Sequence, residues 1–236
     1  MKIKSPAKIN LALDILGRDP SDYHFIQTIF HEIDLHDVIE IKKIPKGIEI
    51  ECTNQDIPTD ETNTVHKAVK LLGLDGFRIH ITKNIPPKSG LGGGSSNAAA
   101  VLKALAPDLG KEELAKLAAK IGMDTPFFIY GGTALGTHFG EKITPLPEIK
   151  DLNIELEFRS NGISTKETYS KIDLAQCGKN TQKTEEMLAA IRAGDPRKII
   201  KNIHNDFQKT EGPPYLTGSG RARFNICLSP GVRASK

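Results

Sequence analysis

Apolar and polar residues alternate along the early part of the chain with the period of β-strands. The apolar positions within residues 9–15 share one face, so Lys8 and Asn10 point together from the other face. The same alternation predicts further strands over residues 25–33, 38–44 and 48–52. Adjacent strands separated by turn residues are typical of a largely antiparallel sheet.

Helical spacing of apolar residues appears further along the chain. It predicts helices over residues 65–72 and 114–121, each followed by a glycine that suits a helix C-terminus. Residues 184–193 and 196–207 are also predicted helices, the second with Asp195 as its N-cap and a proline in its first turn. The chain therefore combines helices with strands.

Prolines cluster at residues 145–151, and we place a domain boundary there. Ser164 and Glu167 form a candidate capping box for a helix after this boundary. Further strands are predicted over residues 126–130 and 133–137, which two glycines join, and over residues 152–158.

A loop rich in glycine and serine lies between a predicted strand, residues 77–82, and helix formers that begin at residue 97. Ser95, Ser96 or Asn97 is the candidate helix cap, and the serine hydroxyls also suit a phosphate or a metal. A strand, a glycine loop and a helix N-terminus together present backbone N–H groups and a positive dipole to phosphate. A flexible linker is the alternative, but linkers join segments that each have their own core, whereas strongly patterned elements bound this loop directly. We therefore expect a nucleoside triphosphate, although neither the P-loop nor the complete dinucleotide fingerprint is present.

Composition narrows the class of protein. The 236 residues suffice for one large domain or two small ones, and we expect two. Lys and Arg number 32 against 29 Asp and Glu, so a nucleic-acid interface is not indicated. The N-terminus reaches Asp14 too early for a signal peptide, and no stretch suits a membrane span, so we expect a cytoplasmic protein. The scattered Cys52, Cys177 and Cys227 predict free thiols, and neither cysteines nor histidines show metal-site spacing.

Phosphoryl transfer needs positive charge, usually Mg²⁺, and a group that positions or deprotonates the attacking hydroxyl. Asp124 is a candidate base, although an Asx-type turn or a helix cap explains it as well. Lys8 is a candidate electrostatic partner for it, or else a solvated edge-strand lysine. The adjacent Tyr23 and His24 suit contacts with a base ring, or simply begin a strand.

Several separated motifs resemble those of the GHMP kinase superfamily. They include Pro-Ala-Lys-Ile-Asn-Leu at residues 6–11, Asp22-Tyr23-His24, the loop at residues 86–96 and Gly-x-Asp-x-Pro-Phe-Phe at residues 122–128. The likeness extends through residues 131–134, Ser164-Thr165 with Tyr169, and residues 205–207, so it spans about residues 5–210. An ordered series of separate motifs is far less probable by chance than one glycine-rich loop.

This resemblance implies an α+β fold. The N-terminal domain, residues 1–148, would be of the ribosomal-protein-S5-like type that binds ATP, and residues 149–236 would form a shortened ferredoxin-like domain. The motifs are most similar to the branch whose small-molecule substrate is a cytidine diphosphate-linked methylerythritol of non-mevalonate isoprenoid synthesis. The implied reaction is transfer of the ATP γ-phosphoryl group to its 2-hydroxyl, with ATP and Mg²⁺ as cofactors.

The resemblance also implies roles for individual residues. Asp124 would be the base and Lys8 its partner, while Asn10, Tyr23 and His24 would contact the substrate. ATP would be held by Pro86, Pro87, Lys88, Ser89, Gly90, Leu91, Gly92, Gly93, Gly94, Ser95 and Ser96.

The C-terminal part departs from the family pattern. Only residues 208–216 separate the Asn-Asp-Phe segment from Thr217-Gly218-Ser219-Gly220, where the family has some tens of residues. Arg221 follows, where the family prefers a small side chain, and it would either aid or obstruct phosphate binding. Two alternatives stay open. One is another GHMP kinase that acts on homoserine or mevalonate, although these substrates have no nucleobase for Tyr23 and His24 to contact. The other is a shortened, inactive nucleotide-binding protein.

Overall fold

Two β-sheets and the helices packed against them form the fold. This computed structural model describes residues 1–21, 23–158, 172–208, 212–220 and 222–229. The strands are β1 Lys2–Arg18, β2 His24–Lys43, β3 Ile48–Cys52, β4 Phe77–Thr82, β5 Thr133–Thr137, β6 Lys142–Pro145, β7 Leu152–Phe158, β8 His204–Asn205, β9 Tyr215–Leu216 and β10 Ala222–Leu228. The helices are α1 Thr64–Leu71, α2 Gly93–Leu105, α3 Lys111–Ala119, α4 Thr125–Tyr130, α5 Thr181–Ala193 and α6 Pro196–Lys201.

The larger sheet has seven strands, with β3, β4, β2, β1 and β8 in that spatial order. Strand β5 pairs with β2, and β6 pairs with β5. The β1–β2 and β2–β4 pairs are antiparallel, whereas β3–β4 and β1–β8 are parallel. The largely antiparallel sheet predicted for the first half is therefore confirmed. The smaller sheet has the order β7, β10, β9 and is antiparallel.

Strand β1 runs through the centre of the molecule and is buried on both faces. Ile9 and Leu11 pack in a core with residues of α5, α6 and β10, such as Met187 and Phe224. On the other face Lys8 and Asn10 are buried too, at 2% exposed each. Polar side chains buried on a central strand must find partners inside the protein. Their partners define the site described below.

A second, larger core fills the space between the sheet and helices α1 to α4. Phe30 from β2, Phe127 from α4 and Leu102 from α2 are among its fully buried side chains. Strand β4 contributes alternate residues to this core and exposes Arg78, as its predicted half-buried pattern requires. Burial of these apolar faces fixes α2 and α4 against the sheet.

A buried polar network ties β1 to the C-terminal elements. The carboxylate of Asp14 is fully buried, with Oδ1 3.0 Å from His204 Nε2. The hydroxyl of Thr184 donates to the other carboxylate oxygen. Nearby, Ile15 N donates to Asp206 Oδ2 at 2.8 Å. These contacts join α5 and β8 to strand β1.

Three sequence predictions of secondary structure are wrong. The strands predicted over residues 25–33 and 38–44 form one continuous strand, β2. Residues 126–130 belong to helix α4 rather than to a strand, and Pro126 lies in its first turn. This run is apolar and almost wholly buried, so it lacks a period that distinguishes a helix from a strand. The predicted helix over residues 196–207 ends at Lys201, because residues 204–205 pair with β1 instead. Its Asp195 cap is confirmed, since the side chain accepts from the next two N–H groups.

Several predictions fall outside the described residues. They concern the capping box of Ser164 and Glu167, together with Asp22, Thr165, Tyr169 and Arg221. The domain division after residue 148 stays a prediction. The three cysteines are free thiols, as expected. None of the helices in the described part of the chain has the length and apolar character needed to cross a bilayer.

Candidate active site

Helix α2 begins inside the glycine loop. Gly92 is its N-cap, with φ of 73°, and Ser96 N donates to Gly92 O at 2.8 Å. The prediction that Ser95, Ser96 or Asn97 caps this helix is therefore wrong, because the chain turns into the helix earlier. The serines lie in the first turn instead. The first N–H groups of α2 have no partner within the helix and point toward the loop, which is the arrangement that binds phosphate.

Glycine is required at the first positions of this helix because neighbouring groups approach closely. A Cβ on Gly92 would lie 2.8 Å from the Phe128 ring and 3.2 Å from Lys8 Cγ. A Cβ on Gly93 would lie 2.8 Å from Lys83 Nζ. The missing side chains leave the backbone accessible to a ligand and let two lysines approach it.

A glycine-containing segment near the C-terminus, residues 217–220, packs directly on the glycine loop. Ala222 N donates to Ser89 O at 2.9 Å. A Cβ on Gly90 would overlap the carbonyl oxygen of Thr217, so the two segments touch backbone to backbone. The short connection of residues 208–216 therefore still brings residues 217–220 against the glycine loop.

Lys8 and Asp124 form an ion pair beside this loop. Asp124 stands at the N-cap position of α4 but makes no capping hydrogen bond, and its Oδ2 lies 3.1 Å from Lys8 Nζ. The Lys8 side chain is 3% exposed, which rules out a solvated edge-strand lysine. The Asp124 side chain is 35% exposed and so remains accessible from the cavity described below. The Lys8 ammonium also lies 5.2 Å from the centre of the Phe30 ring, a favourable cation–π distance.

Asn10 fixes the position of the lysine. Its Oδ1 accepts from Lys8 Nζ at 2.7 Å, while its Nδ2 donates to Thr28 Oγ1 at 2.8 Å. The Thr28 hydroxyl in turn donates a hydrogen bond to Ala12 O. Because both ends of the amide are engaged, the Asn10 oxygen must face the ammonium. Lys8 is thereby held in one position, from which it stabilises the negative charge of Asp124.

A cavity of about 480 Å³ opens beside the ion pair, a volume typical of small-molecule sites. Lys8, Asn10 and Asp124 contribute to its wall. So do all of the predicted loop residues except Leu91 and Ser96. Leu91 is buried in the core, and the Ser96 hydroxyl accepts from Ser5 Oγ at 2.8 Å. The ion pair and the glycine loop therefore face one cavity.

The wall of the cavity also contains residues that the sequence did not single out: Asp56, Ile57, Pro58, Asn63, Thr64 and Lys83. Asn63 caps α1 by accepting from Val65 N at 2.8 Å, and Thr64 Oγ1 donates to Gly94 O at 2.8 Å. Residues of this kind signal a loop and a helix start in the sequence. Nothing in the spacing of these residues indicates that they lie beside the glycine loop.

Asn97 provides a test of whether a nucleotide fits. It lines the cavity and is 3% exposed, yet neither polar atom of its amide has a hydrogen-bond partner in the described residues. Such a group is costly to bury unpaired. The orphaned amide and the backbone of Gly92 and Gly93 in the cavity wall both suit a ligand rich in hydrogen-bonding atoms. The site therefore fits ATP.

Tyr23 and His24 lie outside the wall of this cavity. Tyr23 is 51% exposed, and its ring centre lies 5.3 Å from that of Phe139. Phe25 stacks on the same Phe139 ring. Burial of His24, together with the nearby charge of Arg18, lowers the pKa of its imidazole below the usual value. Tyr23, Phe25 and Phe139 form an aromatic cluster at the start of β2, in which the Tyr23 ring is exposed.

Comparisons with known proteins agree with this geometry. The family model of the GHMP kinases N terminal domain matches residues 63–132. A 4-diphosphocytidyl-2-C-methyl-D-erythritol kinase of Clostridium tetani (strain Massachusetts / E88) is 44% identical over 214 residues, which cover 87% of this chain and 76% of that protein. The enzyme of the same name from Clostridium botulinum (strain Alaska E43 / Type E3) is 38% identical over 245 residues, 100% of this chain and 87% of the relative.

A solved structure shares the fold. The crystal structure of a 4-(cytidine 5'-diphospho)-2C-methyl-D-erythritol kinase superposes with a TM-score of 0.76 at 26% identity, covering 98% of this chain and 91% of that one. The fold is thus that of a GHMP kinase, a phosphotransferase, and the predicted fold class is confirmed. With relatives of this identity and coverage, the chain belongs to the family of 4-diphosphocytidyl-2-C-methyl-D-erythritol kinases.

Proposed function

We propose that this chain transfers the γ-phosphoryl group of ATP to the 2-hydroxyl of 4-diphosphocytidyl-2-C-methyl-D-erythritol, a step of non-mevalonate isoprenoid precursor synthesis. The observation that carries the proposal is the 3.1 Å Lys8–Asp124 pair, whose carboxylate faces the same cavity as the glycine loop. The loop that would hold the phosphate donor and the carboxylate that would receive a proton therefore face the same cavity. The names of the relatives support the choice of acceptor.

The glycine loop and the N-terminus of α2 would hold the ATP phosphates. Backbone N–H groups of residues 92–94 provide donors without side chains in the way. Lys8 and Lys83 line the same cavity and add positive charge. The partly apolar wall that includes Ile57 and Pro58 suits the nucleoside end of ATP.

Mg²⁺ binds through one or two carboxylate groups together with phosphate oxygens, and the Asp56 carboxylate and the Ser95 hydroxyl in the wall offer oxygen ligands that suit it. Bound Mg²⁺ would neutralise charge on the phosphates during transfer. The same proposal includes a cytoplasmic location, where ATP is supplied.

Asp124 would accept the proton of the attacking hydroxyl. As the hydroxyl oxygen forms its bond to the γ-phosphorus, the bond between that phosphorus and ADP breaks, and the proton passes to the Asp124 carboxylate. The Lys8 ammonium, 3.1 Å away, attracts the carboxylate and keeps it oriented. Asn10 keeps Lys8 in place.

Tyr23 and His24 would contact the cytidine end of the acceptor. An exposed tyrosine ring supported by Phe139 provides a surface on which a base can stack. Asn10, which lies in the cavity wall, would also contact the acceptor. Replacement of Tyr23 by Ala should raise KM for the cytidine substrate and leave KM for ATP nearly unchanged; equal changes in both would contradict a stacking role.

A coupled assay of ADP release tests the proposal. Wild-type protein and Asp124→Ala are supplied with Mg²⁺-ATP and, in separate reactions, with the cytidine substrate, homoserine or mevalonate. We expect turnover with the cytidine substrate alone and its loss in the variant. Turnover with homoserine or mevalonate instead would identify a different GHMP kinase.

Binding of ATP without turnover of any acceptor would indicate an inactive nucleotide-binding protein. Thermal stabilisation by Mg²⁺-ATP distinguishes this outcome from a protein that does not fold. Turnover that survives Asp124→Ala would remove the base assignment while leaving the substrate assignment intact.

A further inference from the structure

A buried carboxylate lies behind the first residues of the glycine loop. Asp37, from strand β2, is fully buried, and its carboxylate forms hydrogen bonds with one short segment. Its Oδ1 accepts from Asn84 N at 2.7 Å and from Ile85 N at 2.8 Å. Its Oδ2 accepts from Lys83 Nζ at 2.7 Å. One side chain thus binds three consecutive residues.

The bound segment leads directly into the phosphate loop. Pro86, the next residue, is the first loop residue in the wall of the cavity. Ile85 is fully buried, and its carbonyl oxygen accepts from the same Lys83 ammonium. The backbone at residues 84–85 is therefore fixed on both its N–H and its C=O side. The path of the chain into the loop depends on Asp37.

Asp37 also holds the ammonium of Lys83 at the start of α2. The Lys83 side chain is 5% exposed, and its Nζ lies 2.8 Å from the position that a Cβ on Gly93 would occupy. An ammonium has three N–H donors, of which Asp37 and the Ile85 carbonyl take two. Lys83 lines the cavity. Its positive charge therefore adds to that of the helix N-terminus beside the phosphate site.

The pair balances its own charge. With Lys83 in place, the Asp37 carboxylate is compensated by an ammonium and two N–H groups. Without Lys83, a negative charge would remain buried close to the phosphate loop and would repel the ligand. Removal of both charges should consequently harm ATP binding less than removal of the lysine alone.

We propose that Asp37 is a positioning residue of the ATP site, which fixes the backbone at residues 84–85 and holds the Lys83 ammonium against the first turn of α2. The inference rests on the proposed use of ATP at this loop. Asp37 does not itself line the cavity and acts through Lys83 and the loop.

The test measures ATP binding by calorimetry without any acceptor, together with thermal melting. We expect Asp37→Asn to weaken ATP binding about tenfold, and in turnover to raise KM for ATP while kcat at saturating ATP stays within about threefold. Asp14→Asn is the matched control, because Asp14 is equally buried and hydrogen-bonded but lies outside the cavity wall. It should lower the melting temperature and leave ATP affinity within about twofold.

The electrostatic part has its own test. Lys83→Met should bind ATP more weakly than Asp37→Asn, and the double variant Asp37→Asn with Lys83→Met should recover part of that loss. The double variant leaves no uncompensated buried charge, so it is the one to measure if a single variant fails to fold. Wild-type ATP affinity in the double variant would overturn the proposal. So would an equal loss of affinity in Asp14→Asn.

These outcomes are separable from those of the proposed function. A wild-type protein that binds ATP but phosphorylates no acceptor would contradict the proposed function, while the comparison of Asp37 with Asp14 variants would still decide the inference. Unchanged ATP affinity in Asp37→Asn, with normal turnover of the cytidine substrate, would contradict the inference alone.

Discussion

Lys8 Nζ lies 3.1 Å from Asp124 Oδ2, which joins strand β1 to the N-cap position of α4. The pair is oriented, because Asn10 holds the ammonium and the N-cap residue of α4 carries the carboxylate. If Asp124 receives the proton of the acceptor, Asp124→Asn should lower kcat by about 10²- to 10⁴-fold. ATP affinity, measured by calorimetry, should change little.

The Lys8 partner allows a second kinetic comparison. Lys8→Met keeps the length of the side chain and removes its charge, so the Asp124 carboxylate loses its nearest counter-charge. We expect kcat to fall by at least tenfold, and the double variant with Asp124→Asn to be no slower than the slower single variant. Independent, multiplicative losses would contradict their action as a unit.

Gly92→Ala should destabilise the protein more than Gly73→Ala. Both glycines have positive φ, 73° and 68°, so each alanine carries a backbone penalty of about 1 kcal/mol. A Cβ at Gly92 also meets the Phe128 ring at 2.8 Å, whereas nothing lies within 4 Å at Gly73. The clash should add about 1–3 kcal/mol. Urea unfolding of both variants measures the difference, and equal losses would show that the Phe128 ring moves away without cost.

Stability should depend on pH through His31. Burial lowers the pKa of His31 from 6.5 to about 4, so the folded protein keeps this ring neutral where the unfolded chain takes up a proton. The contribution of neutral His31 to the free energy of unfolding is fully present above pH 6.5. It is lost as pH falls toward 4, by about 3 kcal/mol in total. His31→Gln does not titrate, so urea unfolding between pH 7 and 4.5 should show a shallower loss for the variant. Parallel curves would contradict this.

Cysteine reactivity should differ along the chain. Burial, with the carboxylates of Asp206 and Asp173 nearby, raises the pKa of Cys177 to about 11. The reactive thiolate is then scarce at pH 8. Cys227 is exposed and provides the comparison within the same protein. Iodoacetamide followed by mass spectrometry should label Cys227 well before Cys177, and the reverse order would contradict the environment described for Cys177.

The sequence predicted elements best where their pattern was strongly periodic. Strand β4 and helices α1 and α3 lie where alternation and helical spacing placed them. Residues 126–130 failed because a wholly apolar run has no period. The cap of α2 was missed because Gly92 has no capping side chain and serves through its positive φ alone.

The sequence by itself determined the chemistry that is available: a glycine loop before a helix, a lysine and an asparagine on one strand face, and an aspartate before an apolar run. Local rules suffice there, because strand period and glycine content act over a few residues. Only the tertiary structure decided that Lys8 meets Asp124, that residues 217–220 close on the loop, and that Asp37 and Lys83 support it from behind. Those contacts join segments that are distant in the chain. They form because β1 is buried on both faces and the two hydrophobic cores pack together in the folded protein.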